Sequence, residues 1–284
     1  MPRVKDHAFI INKTDFGESD LIITLFSAGR GKISTIGKGA KRSRRRFPGS
    51  LELFSLVNFN GFIKHPLALT RIDECQLIEP FTAIQEELRS YFCGCYFLEI
   101  INRCCAERQA NKALFALLND IFTFLATVPH NRNFNCRIRL FELQIITLLG
   151  FKPQLSFCLD CGRKLDTGKF FHFSPQTGGL VCGSCQPCHP ASFTVSRGTI
   201  NMLNEAHRLD NELRNKLNFT PQVERESAQL CRALLRWHSG CNFKSLKIME
   251  RYAENDLPVA FPGATNTPDE KMISNNLVKL TAIE

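Results

Sequence analysis

The sequence predicts an α+β chain: an N-terminal β-barrel of five strands, then a helical domain carrying a four-cysteine metal module. Three observations predict it. From His7 to Glu79 the apolar residues come in short runs separated by turn formers, with the length and period of strands. After Pro80 they recur at helical spacing. Within that helical part, Cys158-x2-Cys161 and Cys182-x2-Cys185 stand twenty residues apart, inside the range read as a tetrahedral zinc site.

At 284 residues the chain exceeds what one core usually holds, so two domains are expected, and 44% hydrophobic content excludes global disorder. No apolar run reaches the ~18 residues of a membrane span, and the stretch MPRVKDHAFIINKTDF lacks the apolar core of a secretory signal. A soluble, cytoplasmic protein without a membrane partner is expected. Thirteen cysteines are an odd number in a long chain without a leader, so reduced thiols with one metal site fit better than a disulfide framework. Cys93, Cys95, Cys104 and Cys105 lie in apolar helical sequence, where a thiol packs as a small hydrophobe.

Taken in order, AFIIN, DLIITLF, KISTIGK, LELFSLVNF and LALTRI are the five candidate strands. SAGRG makes a glycine-bearing hairpin loop between the second and third, and His65-Pro66 separates the fourth from the fifth. In the fourth, Leu51, Leu53, Val57 and Phe59 face one side while Phe54 and Leu56 face the other. Burial of both faces suits a small closed barrel, either OB-type or SH3-like.

Charge is unevenly placed: residues 1–80 hold 13 Lys and Arg against 8 Asp and Glu, which points to a polyanionic partner. Arg30, Lys32, Lys38, Lys41, Arg42, Arg44, Arg45 and Arg46 follow one another with no acid before Glu52. Lys32 and Lys38 share parity and so one face of a strand. GAKRSRRRFPGS is rich in turn formers, so a loop would gather its charge at one rim of the barrel. Phosphate contact is the expected use, giving strong and largely sequence-independent affinity; a merely solvated basic loop is the alternative. Phe47, directly after the arginines, is the aromatic residue to test for base stacking. GRGKISTIGKGAK is not a phosphate-binding loop, because Gly31 and Gly37 are separated by five residues and Gly39 follows Lys38.

Pro80 opens the helical part, and ERQANK separates its first two helices. Arg137 to Leu149 forms a third, stopped by Gly150. KFFHF and GGLVC flank SPQTGG as a hairpin that returns the second cysteine pair to the first. Four thiolates close the coordination of one Zn2+, so the site is structural. Cys188 and His189 each offer an alternative to Cys185, and His172 is read as a strand residue. Helices follow over TVSRGTINMLNEAHRL, VERESAQLCRALLRWH and NFKSLKIMERY, with Trp237 expected to pack inward. The expected division is 1–80, then 81–256 with the zinc module at about 155–190, then a flexible tail over 257–284.

GESDLIITLFSAGRGKISTIGKGAKRSRRRF, YFLEIINR, RLFELQIITLLGFKPQLSFCLDCG and FSPQTGGLVC together resemble the RecO family of bacterial DNA recombination and repair proteins, in order over about residues 7–250. The resemblance implies an OB-fold and a helical domain with a zinc module. It implies a nucleoid-associated recombination mediator without enzymatic turnover. Such a protein binds single- and double-stranded DNA, anneals complementary strands, acts with RecR, engages the C-terminal tail of single-strand-binding protein (SSB) and helps RecA replace SSB. The RSRRR run is denser in arginine than the family segment, which raises the expected salt sensitivity. A protein-interaction adaptor working through the helical domain is the competing expectation. A zinc enzyme is disfavoured, because neither a deaminase His-x-Glu nor H-E-x-x-H occurs.

Overall fold

The computed structural model describes residues 3–43, 45–62, 69–127, 133–165 and 168–255, with side chains as far as 251. Strands β1 (Arg3–Phe16), β2 (Asp20–Ser27), β3 (Gly31–Gly37), β4 (Leu56–Phe62) and β5 (Thr70–Glu79) close into a barrel in the order β1-β2-β3-β5-β4. Neighbours are antiparallel except β3 and β5. This is an OB-type barrel, which decides between the two types that strand counting allows. Alternation supplies its core: in β3, Gly31, Ile33, Thr35 and Gly37 are buried while Lys32, Ser34 and Ile36 are half-exposed. Ala8, Ile10, Ile23, Leu25, Val57 and Phe59 meet Ile33 inside.

The fourth strand begins later than its apolar pattern suggests. Residues 51–54 form a turn, and Phe54 has φ 70, a left-handed conformation that no strand adopts. Its ring turns outward onto helices. Helices α1 (Thr82–Glu86), α2 (Leu88–Cys104) and α3 (Lys112–Thr127) bring Phe122 to 5.5 Å from Phe54 and 5.2 Å from Phe9, and Phe115 to 4.9 Å from Phe9. Each fully buried ring is worth about 1.5–3 kcal/mol. Gly94 sits inside α2 because a Cβ there would come 2.6 Å from the Phe54 ring.

The chain falls into two compact units, Met1–Pro129 with Phe243–Glu284, and His130–Asn242. The division expected at residue 80 tracks the change from strand to helix. The compact units instead keep α1–α3 with the barrel whose outer face they cover. His65, Pro66 and the expected tail over 257–284 lie outside the described residues.

In the second unit, α4 (Phe134–Leu148) ends before Gly150, which has φ 90. Strands β6 (Phe170–Ser174), β7 (Gly179–Val181) and β8 (Phe193–Ser196) form a sheet in the order β7-β6-β8. The expected hairpin is β6–β7. The expected helix from Thr194 begins later, as α5 (Arg197–Arg208), because Ser196 caps it: its hydroxyl accepts from the Thr199 N–H. After α6 (Asn211–Arg214) comes α7 (Pro221–Ser239), on which Trp237 is 51% exposed, contrary to the inward packing expected of it. A last helix, α8 (Lys244–Asn255), belongs to the first unit. Among the described residues no helix is long and apolar enough to cross a membrane.

Candidate nucleic-acid interface and metal centre

The loop leaving β3 is organised by one carboxylate. Asp20, at the start of β2, accepts from Lys38 Nζ at 2.7 Å, from the Gly39 N–H at 2.8 Å and from Ser19 Oγ at 3.1 Å. These donors, Lys38 first, hold its carboxyl down to about 2. Gly39 turns the chain with φ 64. Arg46 closes the loop: Nη2 donates to the Lys38 carbonyl at 2.6 Å and Nε to Ser43 Oγ at 3.2 Å, while its guanidinium lies 5.1 Å from the Phe47 ring centroid. Lys41 Nζ is 3.1 Å from Asp15 and donates to the Gly17 carbonyl at 3.1 Å.

The eight expected cations therefore separate. Lys38, Lys41, Arg42, Arg45 and Arg46 share one loop; Arg42 and Arg45 are exposed and make no ion pair among the described residues. Arg44 lies outside the described residues. Arg30 and Lys32 stand at the other end of β3, about 20 Å away for six residues of strand. Arg30 is exposed, whereas Lys32 Nζ donates to the Asn102 carbonyl at 2.6 Å in the last turn of α2. Equal parity puts Lys32 on the strand's outer face but not beside Lys38, which lies beyond the strand's end.

Phe47 is buried in the barrel core, so it offers no face to a base. The exposed ring is Phe16, at the end of β1, 48% exposed with Lys38 Nζ 6.0 Å from its centroid. Cross-strand register adds a half-exposed row on the outer surface, running Thr14, Ile22, Ile36, Arg71 and Phe62. Arg71 lies 5.4 Å from the Phe62 centroid. The other half of the β2–β3 surface is covered: Ser34 Oγ donates to Glu107 at 2.9 Å, and a Cβ on Gly31 would meet the Gln109 carbonyl at 1.9 Å. The open surface next to the loop thus pairs cations with aromatic and branched apolar groups, a combination suited to single strands.

The metal centre is built by two tight turns. At the first, the Gly162 N–H donates to the Cys158 carbonyl at 2.9 Å, with Gly162 at φ 72; at the second, the Cys185 N–H donates to the Cys182 carbonyl at 3.0 Å. The Leu159 N–H donates to the Leu180 carbonyl at 2.9 Å and fastens the first turn to β7. The sulfurs of Cys158, Cys161, Cys182 and Cys185 all lie within 4.8 Å of one another, and Cys161 Sγ is 3.7 Å from Cys182 Sγ. Zn–S bonds of about 2.3 Å in a tetrahedron imply S···S distances of about 3.8 Å, so the cluster fits one metal ion. N–H donors, Cys185's first, hold the Cys182 thiol down to about 6, and the neighbouring thiolate pushes Cys185 up to about 12.

Cys188 is exposed and outside the cluster. His189 is committed elsewhere, with Nε2 2.7 Å from Asp160 and Nδ1 3.3 Å from Ser174 Oγ. The cluster's second pair is thus Cys182 and Cys185. Ser174, His189 and Asp160 are the residue types of an acyl-transfer triad, but Ser174 is 1% exposed and no substrate reaches it. Their contacts tie the first turn to the sheet.

Residues 1–81 match the family model of the recombination protein O N terminal, and residues 85–247 that of its C terminal. The chain is 29% identical over 248 residues to the DNA repair protein RecO of Syntrophus aciditrophicus, covering 87% of this chain and 95% of that protein. It is 32% identical over 203 residues to that of Anaeromyxobacter dehalogenans, covering 72% and 78%. With that of Bacillus pumilus it shares 28% over 251 residues, covering 87% and 94%.

Proposed function

Because the chain belongs to the RecO family of DNA repair proteins, we propose that it is a recombination mediator of the cytoplasm, working at the nucleoid without catalytic turnover. It binds single- and double-stranded DNA, anneals complementary strands, and with RecR helps load RecA onto SSB-coated single strands, engaging the SSB C-terminal tail. The observation that carries this reading is the loop from Lys38 to Arg46. It holds exposed Arg42 and Arg45 at the edge of a barrel surface lined by Phe16, Ile22 and Ile36.

Phosphates are neutralised by Arg30, Lys38, Lys41, Arg42, Arg44, Arg45 and Arg46, each contact releasing counterions. Lys32 joins the set only at the margin, since its ammonium serves the end of α2. Two strands held on a positive surface repel each other less, which favours their pairing. Cys158, Cys161, Cys182 and Cys185 hold one Zn2+, which supplies no reaction chemistry when bound, because four thiolates leave no open position. The DNA-binding function belongs to the barrel, residues 1–80, and the helical part holds the zinc module.

The test separates a mediator from an adaptor. Full-length protein with Arg42 and Arg45 replaced by Ala is passed over immobilised RecR and over the SSB tail, and labelled-strand binding is measured in parallel. Retention of both partners with weakened DNA binding and lost mediator activity is expected. Retention with mediator activity intact would transfer the function to the helical surface.

A further inference from the structure

The barrel carries the conspicuous basic run, yet most of the chain's surplus charge lies in the other unit. Residues 130–242 hold fourteen Lys and Arg against eight Asp and Glu, a surplus of six out of the chain's nine. Part of it is ordered along α7. At about 100° per residue, Arg225, Gln229, Arg232 and Arg236 fall within an arc of about 60°. Val223, Leu230 and Leu234 occupy the opposite, buried side. The stripe rises about 16 Å from Arg225 to Arg236. Arg225 and Arg236 are exposed and make no ion pair among the described residues; Arg232 is half-buried.

No acid lies on the stripe. Glu224 and Glu226 project to either side of it, and Glu226 is engaged by Ser196 and Thr199, whose hydroxyls donate to it at 2.7 Å and 2.6 Å. Trp237 follows Arg236 and projects about 100° further round the helix, on the flank of the stripe, with 51% of its surface exposed. Beside it, His238 stacks on Phe151 at 3.6 Å between centroids. A cationic track with a half-exposed indole on its flank suits a single strand, whose bases are free to stack. A duplex offers no free base to the ring.

We infer that the Arg225–Arg236 face of α7, with Trp237, is a second contact surface for single-stranded nucleic acid, separate from the barrel loop. It rests on the DNA-binding reading above and extends it: the strand-pairing activity has a second place to hold a strand.

Trp237 is the only tryptophan of the chain, so its emission reports on this surface alone. The experiment titrates the full-length protein with a mixed-sequence single-stranded oligonucleotide, a duplex and an acidic peptide over a range of salt. It follows Trp237 emission, and separately the anisotropy of labelled oligonucleotide. The single strand should change the emission in a saturable way. R225A/R236A should lower the salt slope of that response by about 1.4, at about 0.7 per lost contact. Labelled DNA that binds the protein without any change in emission overturns this inference alone, as does a response to peptide or duplex without one to the single strand. An unchanged slope in R225A/R236A does the same. Failure of labelled DNA to bind at all overturns the DNA-binding reading and this inference with it.

Discussion

Replacing Arg42 and Arg45 by alanine removes two exposed cations that the barrel loop does not use for its own structure. Each phosphate contact to a single strand contributes about 0.7 to the slope of log K against log salt, so two contacts contribute about 1.4. If the non-electrostatic part of binding is unchanged, that slope means about 25-fold weaker binding at 0.1 M salt and about 5-fold at 0.3 M. Exposed substitutions of this kind change stability by about 0.5 kcal/mol or less, so the loss is one of binding. Arg46 is a poorer choice, because its bonds to the Lys38 carbonyl and Ser43 Oγ hold the loop, and their removal mixes folding with binding. Anisotropy of a labelled strand, measured for both proteins over a salt series, gives two lines whose difference in slope is the result. Parallel lines would refute the assignment of phosphate contact to this loop.

Three further outcomes follow from other parts of the molecule. Lys32→Met removes the donor to the Asn102 carbonyl at the end of α2 and should cost about 1–2 kcal/mol in thermal or denaturant unfolding, with little change in the DNA salt slope. Metal analysis should find one zinc per chain; Cys182→Ala or a strong chelator should open the segment 158–185 to proteolysis and lower soluble yield while strand binding by the barrel persists, and stable metal-free protein would contradict the structural role. Asp20 is held near pKa 2 against an ordinary 3.8, so its contribution is fully present above about pH 4 and is lost as pH falls through about 2; the stability difference between wild type and Asp20→Asn should narrow across that window.

The parts of the fold set by local periodicity were legible in the sequence. Alternation in KISTIGK and the Cys-x2-Cys spacing depend on neighbours a few residues away, and β3 and the thiol cluster stand where those patterns put them. What depends on distant partners was not legible. LELFSLVNF reads as one strand, but Phe54 leaves it in a left-handed conformation to meet Tyr91 and Phe122, which no local pattern announces. The basic run reads as one site, although β3 separates Arg30 and Lys32 from Lys38 and the α2 terminus takes up Lys32. Phe47 is adjacent to the arginines in sequence but buried, and Phe16 is distant in sequence but exposed beside Lys38. One signal for Phe16 was available: a large apolar residue immediately before the turn Gly17-Glu18-Ser19, where burial is hardest to arrange. Thr194 and Val195 form a strand rather than opening a helix, and the cue lay in Ser196 followed by Thr199 at capping distance.

On the function proposed above, the basic loop of the barrel holds the strands that are to be paired. That role is tested most directly by the rate at which complementary strands, both coated with SSB, anneal in the presence of wild-type protein and of R42A/R45A at matched concentration and about 0.1 M salt. Wild-type protein should accelerate annealing well above the spontaneous rate, and the variant should lose most of that acceleration while still being retained by the SSB tail. Equal acceleration by the two proteins would contradict it.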